Sequence, residues 1–395
     1  MSKVVVIGAG ISGLSTAYFL RKKGYDVIIA EVNSAFGKVA SFANGSQLSF
    51  SHIQPIYLED RFKFSILKKK QKYDNCLNLK NEITKSFIKQ QIDARHHHAK
   101  NVSTLSKLAN FSMETINEIC TQDDFSKYIK SCGIIHLFES YSEALKEEEA
   151  AKSYNMPFKV FSKNEFKNYE PNLEYFNVKF EYGVFYPEDK TSNCYDICKL
   201  LFNKLKEFGV SFLFNSHVKK LNILNNVVKS ITLTDGTLIE ADFFVCANGT
   251  KIPDLIENIG LHYPIYPLRG YSVTFNKNNF DYFPFLGLID KKRKMVYSTY
   301  KDCLRVAGFF DFGINDTGII NSRLQDFKDT IFEVFPLLKQ NTIIHQWTES
   351  RHFTPSSVPI IGKTKLFSNL FINGGHGALG FTLSFGAAKI ISELI

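Results

Sequence analysis

Val4–Leu20 reads "VVVIGAGISGLSTAYFL", and two periodicities meet inside it. Val4 to Ile7 is a short β-branched run of the kind that makes a buried parallel strand. From Ile11 onward the apolar residues Ile11, Leu14, Ala17 and Tyr18 recur at helical spacing. Gly8, Gly10 and Gly13 stand between the two patterns as GxGxxG. The first glycine permits a sharp turn, the second lets backbone approach a pyrophosphate, and the third lets helix and strand pack closely. Ile11 and Ser12 open the helix, where unpaired backbone N–H groups face a phosphate. Gly24 ends the helix, "YDVIIA" (25–30) makes the next strand, and Glu31 follows eighteen residues after Gly13. A carboxylate there accepts hydrogen bonds from ribose hydroxyls. Strand, turn, helix, strand and spaced acid together predict a dinucleotide-binding βαβ unit; a glycine turn that serves packing alone is the alternative. The unit does not separate NAD from FAD. Val32 and Asn33 after Glu31 bring no Arg, which argues against a 2′-phosphate and so against NADP.

The chain of 395 residues is long enough for two domains. With 44% apolar and 22% charged residues it reads as globular, not disordered. Its formal charge of +9 comes without long Arg/Lys tracts interleaved with stacking aromatics, so no nucleic-acid partner is expected. Seven Cys without a CxxC pair suggest neither a disulfide framework nor a zinc ribbon, and fit a reducing compartment. Cys194 and Cys198 could share a helix face as metal ligands, but small buried side chains are the simpler reading. His96, His97 and His98 would fan out over different faces of a helix, so no metal is expected there either. The apolar start superficially resembles a signal peptide. Three glycines and the polar Ser12, Ser15 and Thr16 interrupt it, however, and a cytoplasmic protein is expected.

Further blocks resemble the D-amino acid oxidase family of flavoproteins, especially its bacterial D-amino acid dehydrogenase branch. "FGKVASFANGSQLSF" (36–50) is similar to the family's second phosphate- and flavin-contacting loop, with Ser41, Phe42, Ala43 and Asn44 at matching places, and the resemblance implies cofactor contacts from Ser41, Asn44 and Gly45. "SHVKKL" (216–221) puts Val218 where the family uses a backbone contact to adenine. "VCANGTKIP" (245–253) is similar to the strand returning beneath the cofactor, with Ala247 and Gly249 at the small-residue positions. Last comes "ESRHFTPSSVPIIGKTKLFSNLFINGGHGALGFTLSFG" (349–386), with Arg351 eleven residues before the glycine of Pro-Ile-Ile-Gly. Ser356-Ser357 departs from the family's common Asp-Gly, and Phe381 from the dehydrogenases' common Trp.

The resemblance implies non-covalent FAD, with Gly374, Gly375, His376, Gly377, Ala378, Leu379, Gly380 and Thr382 forming a loop and helix start beside the flavin. A helix N-terminus carries about half a positive charge, and fixed backbone N–H groups would stabilise a reduced, anionic ring. It also implies oxidative deamination of D-amino acids, by hydride transfer from Cα to flavin N5 and hydrolysis of the imino acid to a 2-oxo acid and ammonia. Electrons would pass to a quinone or another non-oxygen acceptor. Arg351 stands where relatives bind the substrate carboxylate, which a planar guanidinium grips in bidentate fashion. Tyr271 could add a hydroxyl to that carboxylate, although a core Tyr is an equal reading. His52 and His376 receive no catalytic role, because hydride transfer from a neutral amine requires no side-chain base. Enzymes acting on glycine, sarcosine, proline or a 2-hydroxy acid share these motifs, and a non-catalytic FAD redox sensor remains open.

The expected architecture is α/β: a Rossmann-like FAD-binding domain with a parallel sheet, assembled from residues 1–85, 185–255 and 340–395. An antiparallel-sheet and helical substrate domain would be inserted as residues 86–184 and 256–339. "RFKFSILKKKQKY" (61–73) carries six cations among large apolar residues. It reads as a solvated basic face or as peripheral contact with anionic lipid on the inner face of the plasma membrane.

Overall fold

A computed structural model describes residues 1–57, 76–154, 156–278 and 280–395. The basic stretch 61–73 lies outside the described residues. The fold is α/β and is organised around two large sheets.

The first sheet has six strands in the order Ile360–Lys363, Leu370–Gly374, Phe243–Cys246, Lys3–Ile7, Asp26–Ala30 and Ser211–Leu213. Its pairings are parallel except that of Ile360–Lys363 with Leu370–Gly374. Strand alternation explains the unbroken β-branched run 4–7. Val4 and Val6 enter the core under the helices, whereas Val5 and Ile7 enter the core on the opposite face. Both faces are covered, so each of these side chains contributes about 1.5–3 kcal/mol of burial. The helices Ile11–Lys22, Cys194–Glu207 and Gly380–Leu394 supply apolar residues to the first core, and the meander of strands 218–224, 227–233 and 238–240 covers the other face.

The second sheet has eight strands, in the order Ile343–Phe353, Tyr266–Asn276, Cys303–Phe312, Met295–Tyr300, Gly287–Asp290, Ile134–Phe138, Tyr182–Tyr186 and Lys159–Ser162. It is antiparallel apart from the pairing of Gly287–Asp290 with Ile134–Phe138. One face carries an aromatic core in which Tyr271 and Phe309 meet Phe327 of the helix Thr317–Val334, and Phe335 stacks on Phe176.

Two segments sit elsewhere than the sequence boundaries suggested. Helix His98–Gln122 falls in the stretch expected to form the substrate domain, yet it packs on the C-terminal helix. Ser112 donates to the Thr382 carbonyl at 2.7 Å and accepts the Gly386 N–H at 3.1 Å. A Cβ on Gly386 would stand 2.8 Å from Ser112 Cα, so this glycine serves helix–helix approach. Strand Ile343–Phe353, expected in the cofactor domain, instead forms the edge of the eight-stranded sheet against Tyr266–Asn276. Its C-terminal end then leads into the first sheet through Ile360–Lys363, so Arg351 stands at the junction of the two.

Candidate active site

A cavity of about 880 Å³ runs between the sheets, and its wall combines the glycine turn, Glu31, the 37–45 loop, the 216–219 segment, the 247–251 turn, residues 377–382 and Arg351. The turn is tight for steric reasons. Gly8 has φ +106, and a Cβ on Gly13 would lie 1.9 Å from the Gly8 carbonyl oxygen. Gly13 therefore does not line the cavity; it permits the helix–strand contact that brings Gly8, Gly10 and Ser12 to the wall. The Ile11 N–H is taken by Ser41 Oγ at 3.0 Å, so this donor pins the 37–45 loop to the helix start. Glu31 is buried at the rim and accepts from the Ala9 N–H at 2.6 Å and from the Asn33 N–H at 2.8 Å.

Among the other sequence-derived positions, Asn44, Gly45, Val218, Ala247 and Gly249 reach the wall, as do Gly377, Ala378, Leu379, Gly380 and Thr382. Thr382 Oγ1 also accepts the Ser49 N–H at 3.1 Å, tying the last helix to the strand Gln47–Leu48.

Gly374, Gly375 and His376 require a correction, because they lie behind the wall. A Cβ on Gly374 would meet Ile252 Cδ1 at 2.3 Å, and one on Gly375 would meet Thr354 Cγ2 at 2.6 Å. His376 is buried with both ring nitrogens lacking a partner, packed edge-to-face on His352. Burial, reinforced by His352, pushes its pKa down to about 3, which keeps it uncharged. The glycines near the C-terminus thus divide between cavity wall and packing.

Tyr271 is the second correction. On strand Tyr266–Asn276, Gly270 lies against the Arg351 guanidinium, with an added Cβ only 2.4 Å from Cζ. The next residue must point to the opposite face. Tyr271 accordingly enters the aromatic core and donates to Asp311 Oδ2 at 2.8 Å, where Arg323 Nε also binds Asp311 at 2.9 Å.

Arg351 lines the cavity, with its guanidinium carbon 5.1 Å from the Phe310 ring centroid. Its Nη1 is buried without a hydrogen-bond partner, and among the described residues no carboxylate forms a salt bridge with it. Burial pushes its pKa down to about 10, so it stays cationic at neutral pH. A buried, unpaired guanidinium is costly, and a planar anion entering the cavity would relieve that cost. Ser357 has φ +62, at the position where the resembled family commonly has glycine, and its Oγ accepts the Ile56 N–H at 3.0 Å.

With this geometry in view, comparison with known proteins gives a single direction. The model of the DAO family, FAD dependent oxidoreductase, matches residues 3–394. The chain belongs to that family. It is 29% identical over its full length to a D-amino acid dehydrogenase of Vibrio atlanticus, covering 95% of that protein. It is 28% identical, with the same coverage, to a D-amino acid dehydrogenase of Rhizobium rhizogenes. The fold matches an iminodiacetate oxidase from Chelativorans at TM-score 0.74 and 16% identity, covering 99% of this chain and 94% of that one. It also matches an FAD-bound L-α-glycerophosphate oxidase from Mycoplasma pneumoniae at TM-score 0.74 and 13% identity, covering 100% of this chain and 95% of that one.

The donor set suits the family's cofactor. A glycine turn, a buried acid and residues 377–380 share one continuous wall, as an elongated dinucleotide requires. Several wall residues were not singled out from the sequence. Glu349, Ser350 and His352 flank Arg351 on its strand, so their proximity was a usable signal. Gln54, Tyr57 and Phe310 reach the cavity through chain packing that no motif announces.

Proposed function

We propose that the protein carries out FAD-dependent oxidative deamination of D-amino acids, releasing a 2-oxo acid and ammonia after hydrolysis of the imino acid. The carrying observation is Arg351, a cavity-facing cation without a protein carboxylate among the described residues. The names of the full-length relatives support the substrate class. FAD supplies the acceptor for the hydride that leaves Cα. Gly8, Gly10 and Ser12 would hold its pyrophosphate, Glu31 its ribose, Val218 its adenine, and the backbone of Gly377–Gly380 its ring. Arg351 grips the carboxylate and restricts Cα to few orientations, which lowers the entropic part of the barrier. Phe310 closes one side of the guanidinium against water, strengthening that grip. Tyr271 has no part in this, since its hydroxyl is bound to Asp311 on the far face.

The electron acceptor is a quinone or another non-oxygen oxidant, reached from the inner face of the plasma membrane. The basic, apolar stretch 61–73 supports this reading. Among the described residues no helix is long and apolar enough to cross a membrane.

The test is the absorption spectrum of the purified protein, followed by anaerobic titration with D-amino acids, L-amino acids, glycine, sarcosine, proline and 2-hydroxy acids. Flavin bleaching by D-amino acids is expected. No flavin band after reconstitution, or bleaching only by the other substrates, overturns the reading.

A further inference from the structure

His52 also lines the cavity, yet it belongs to neither the glycine turn nor the carboxylate grip. Its Nδ1 is buried without a partner, and neither ring nitrogen bonds to another described residue. A buried ring nitrogen without a partner is costly, and a ligand donor would relieve that cost. The ring is held in place from behind. It packs edge-to-face on His136 with centroids 5.7 Å apart. His136 is fully buried, with Nδ1 2.8 Å from Glu147 Oε1 and Nε2 3.4 Å from Ser51 Oγ. Glu147 in turn accepts from Tyr186 at 3.2 Å and pairs with Lys291 at 3.1 Å. This network braces His136, and His136 braces His52.

We propose that His52 binds the α-amino group of the substrate, a ring nitrogen of its imidazole accepting an amine N–H while Arg351 holds the carboxylate. The inference rests on the amino-acid reading above and adds the residue that meets the second polar handle. Burial, with Lys291 and His136 behind it, pushes the His52 pKa down to about 3, so the acceptor is uncharged. That matters chemically. Hydride loss from Cα requires the nitrogen lone pair, and a carboxylate acceptor would hold the nitrogen as ammonium. An uncharged imidazole accepts a hydrogen bond from the neutral amine without favouring its protonation. The rival acceptor is Glu349, on the same strand as Arg351 and also in the wall; its carboxylate would favour the unreactive ammonium form.

The test compares His52→Leu, His52→Gln and Glu349→Gln in the FAD-loaded protein, using each D-amino acid that reduces the wild type. Propionate, which lacks the amine, serves as a second ligand read by perturbation of the flavin spectrum. His52→Leu should lower kcat/KM about 10- to 100-fold. Propionate affinity and FAD content should stay near wild type, and His52→Gln, which retains an acceptor, should recover much of the loss. Equal loss of propionate binding and turnover makes His52 a packing residue and overturns the inference. So does full activity of His52→Leu, or a selective loss in Glu349→Gln alone. If His52→Leu does not fold, failure of His52→Gln to outperform His52→Ala overturns it. A wild type that oxidises other substrates but no D-amino acid removes the functional reading itself, a result separate from any His52 comparison.

Discussion

The Glu31 carboxylate accepts the backbone N–H of Ala9 at 2.6 Å, joining the end of the second strand to the centre of the glycine turn. One acid therefore shapes the turn and faces the cavity. Glu31→Ala should weaken FAD binding by about 1–3 kcal/mol. Quenching of flavin fluorescence on titration measures it, and unchanged affinity would place the ribose contact elsewhere.

Arg351→Lys keeps the charge and loses the planar fork. Catalytic efficiency for D-amino acids should fall by about 2–4 kcal/mol in transition-state terms, part of it in kcat. FAD content should hardly change. The control is the amide of the same D-amino acid, which lacks the anionic handle and should lose far less. Equal losses for acid and amide would make Arg351 a structural residue.

Tyr271→Phe removes one donor to Asp311 and leaves that carboxylate with Arg323 and the Cys76 N–H. The variant should lose about 1–3 kcal/mol of stability in denaturant titration. Its KM for substrate should match wild type, because the hydroxyl lies on the face of the sheet turned from the cavity. A raised KM at unchanged stability would restore Tyr271 to the substrate site.

Asp189 is fully buried, and burial pushes its carboxyl up to about 7 despite hydrogen bonds from the Ser51 hydroxyl and N–H. In the unfolded chain it titrates near 4. The folded state therefore keeps a proton that the unfolded state has lost. Stability from this group is complete below about pH 4 and disappears as pH rises through about 7. Asp189→Asn does not titrate, so its melting temperature relative to wild type should climb between about pH 4 and pH 7 and level off above that. A difference flat across that window would show the carboxyl to be ionised throughout.

Replacing Lys68, Lys69 and Lys70 with Glu should release the protein from anionic vesicles while dye-coupled activity persists. Co-sedimentation at increasing salt provides the measurement. Salt-insensitive binding, or peroxide formation that accounts for all turnover, would exclude the membrane-quinone reading.

The first thirty-one residues were legible because their signals are local. A β-branched run, three spaced glycines and an acid at the next strand end each act on the chain near themselves, and the structure places Gly8, Gly10 and Glu31 along one cavity. The C-terminal block was legible only as a motif. Its glycines look equivalent in sequence, but Gly377 and Gly380 face the cavity, Gly374 and Gly375 admit neighbouring side chains, and Gly386 admits Ser112.

By itself the sequence determined the βαβ start, the α/β class, the family resemblance and Arg351 as the candidate carboxylate grip. Tertiary structure alone decided which face of a strand each side chain occupies and which distant segments meet. Tyr271 and Gly270 are adjacent in the chain yet lie on opposite faces of the sheet, because successive residues in a strand alternate. His52, His136 and Glu147 come together only when a loop, a strand and a helix pack around one interior. Their chemistry depends on that packing, since exclusion of water leaves His52 uncharged and a ring nitrogen unpartnered.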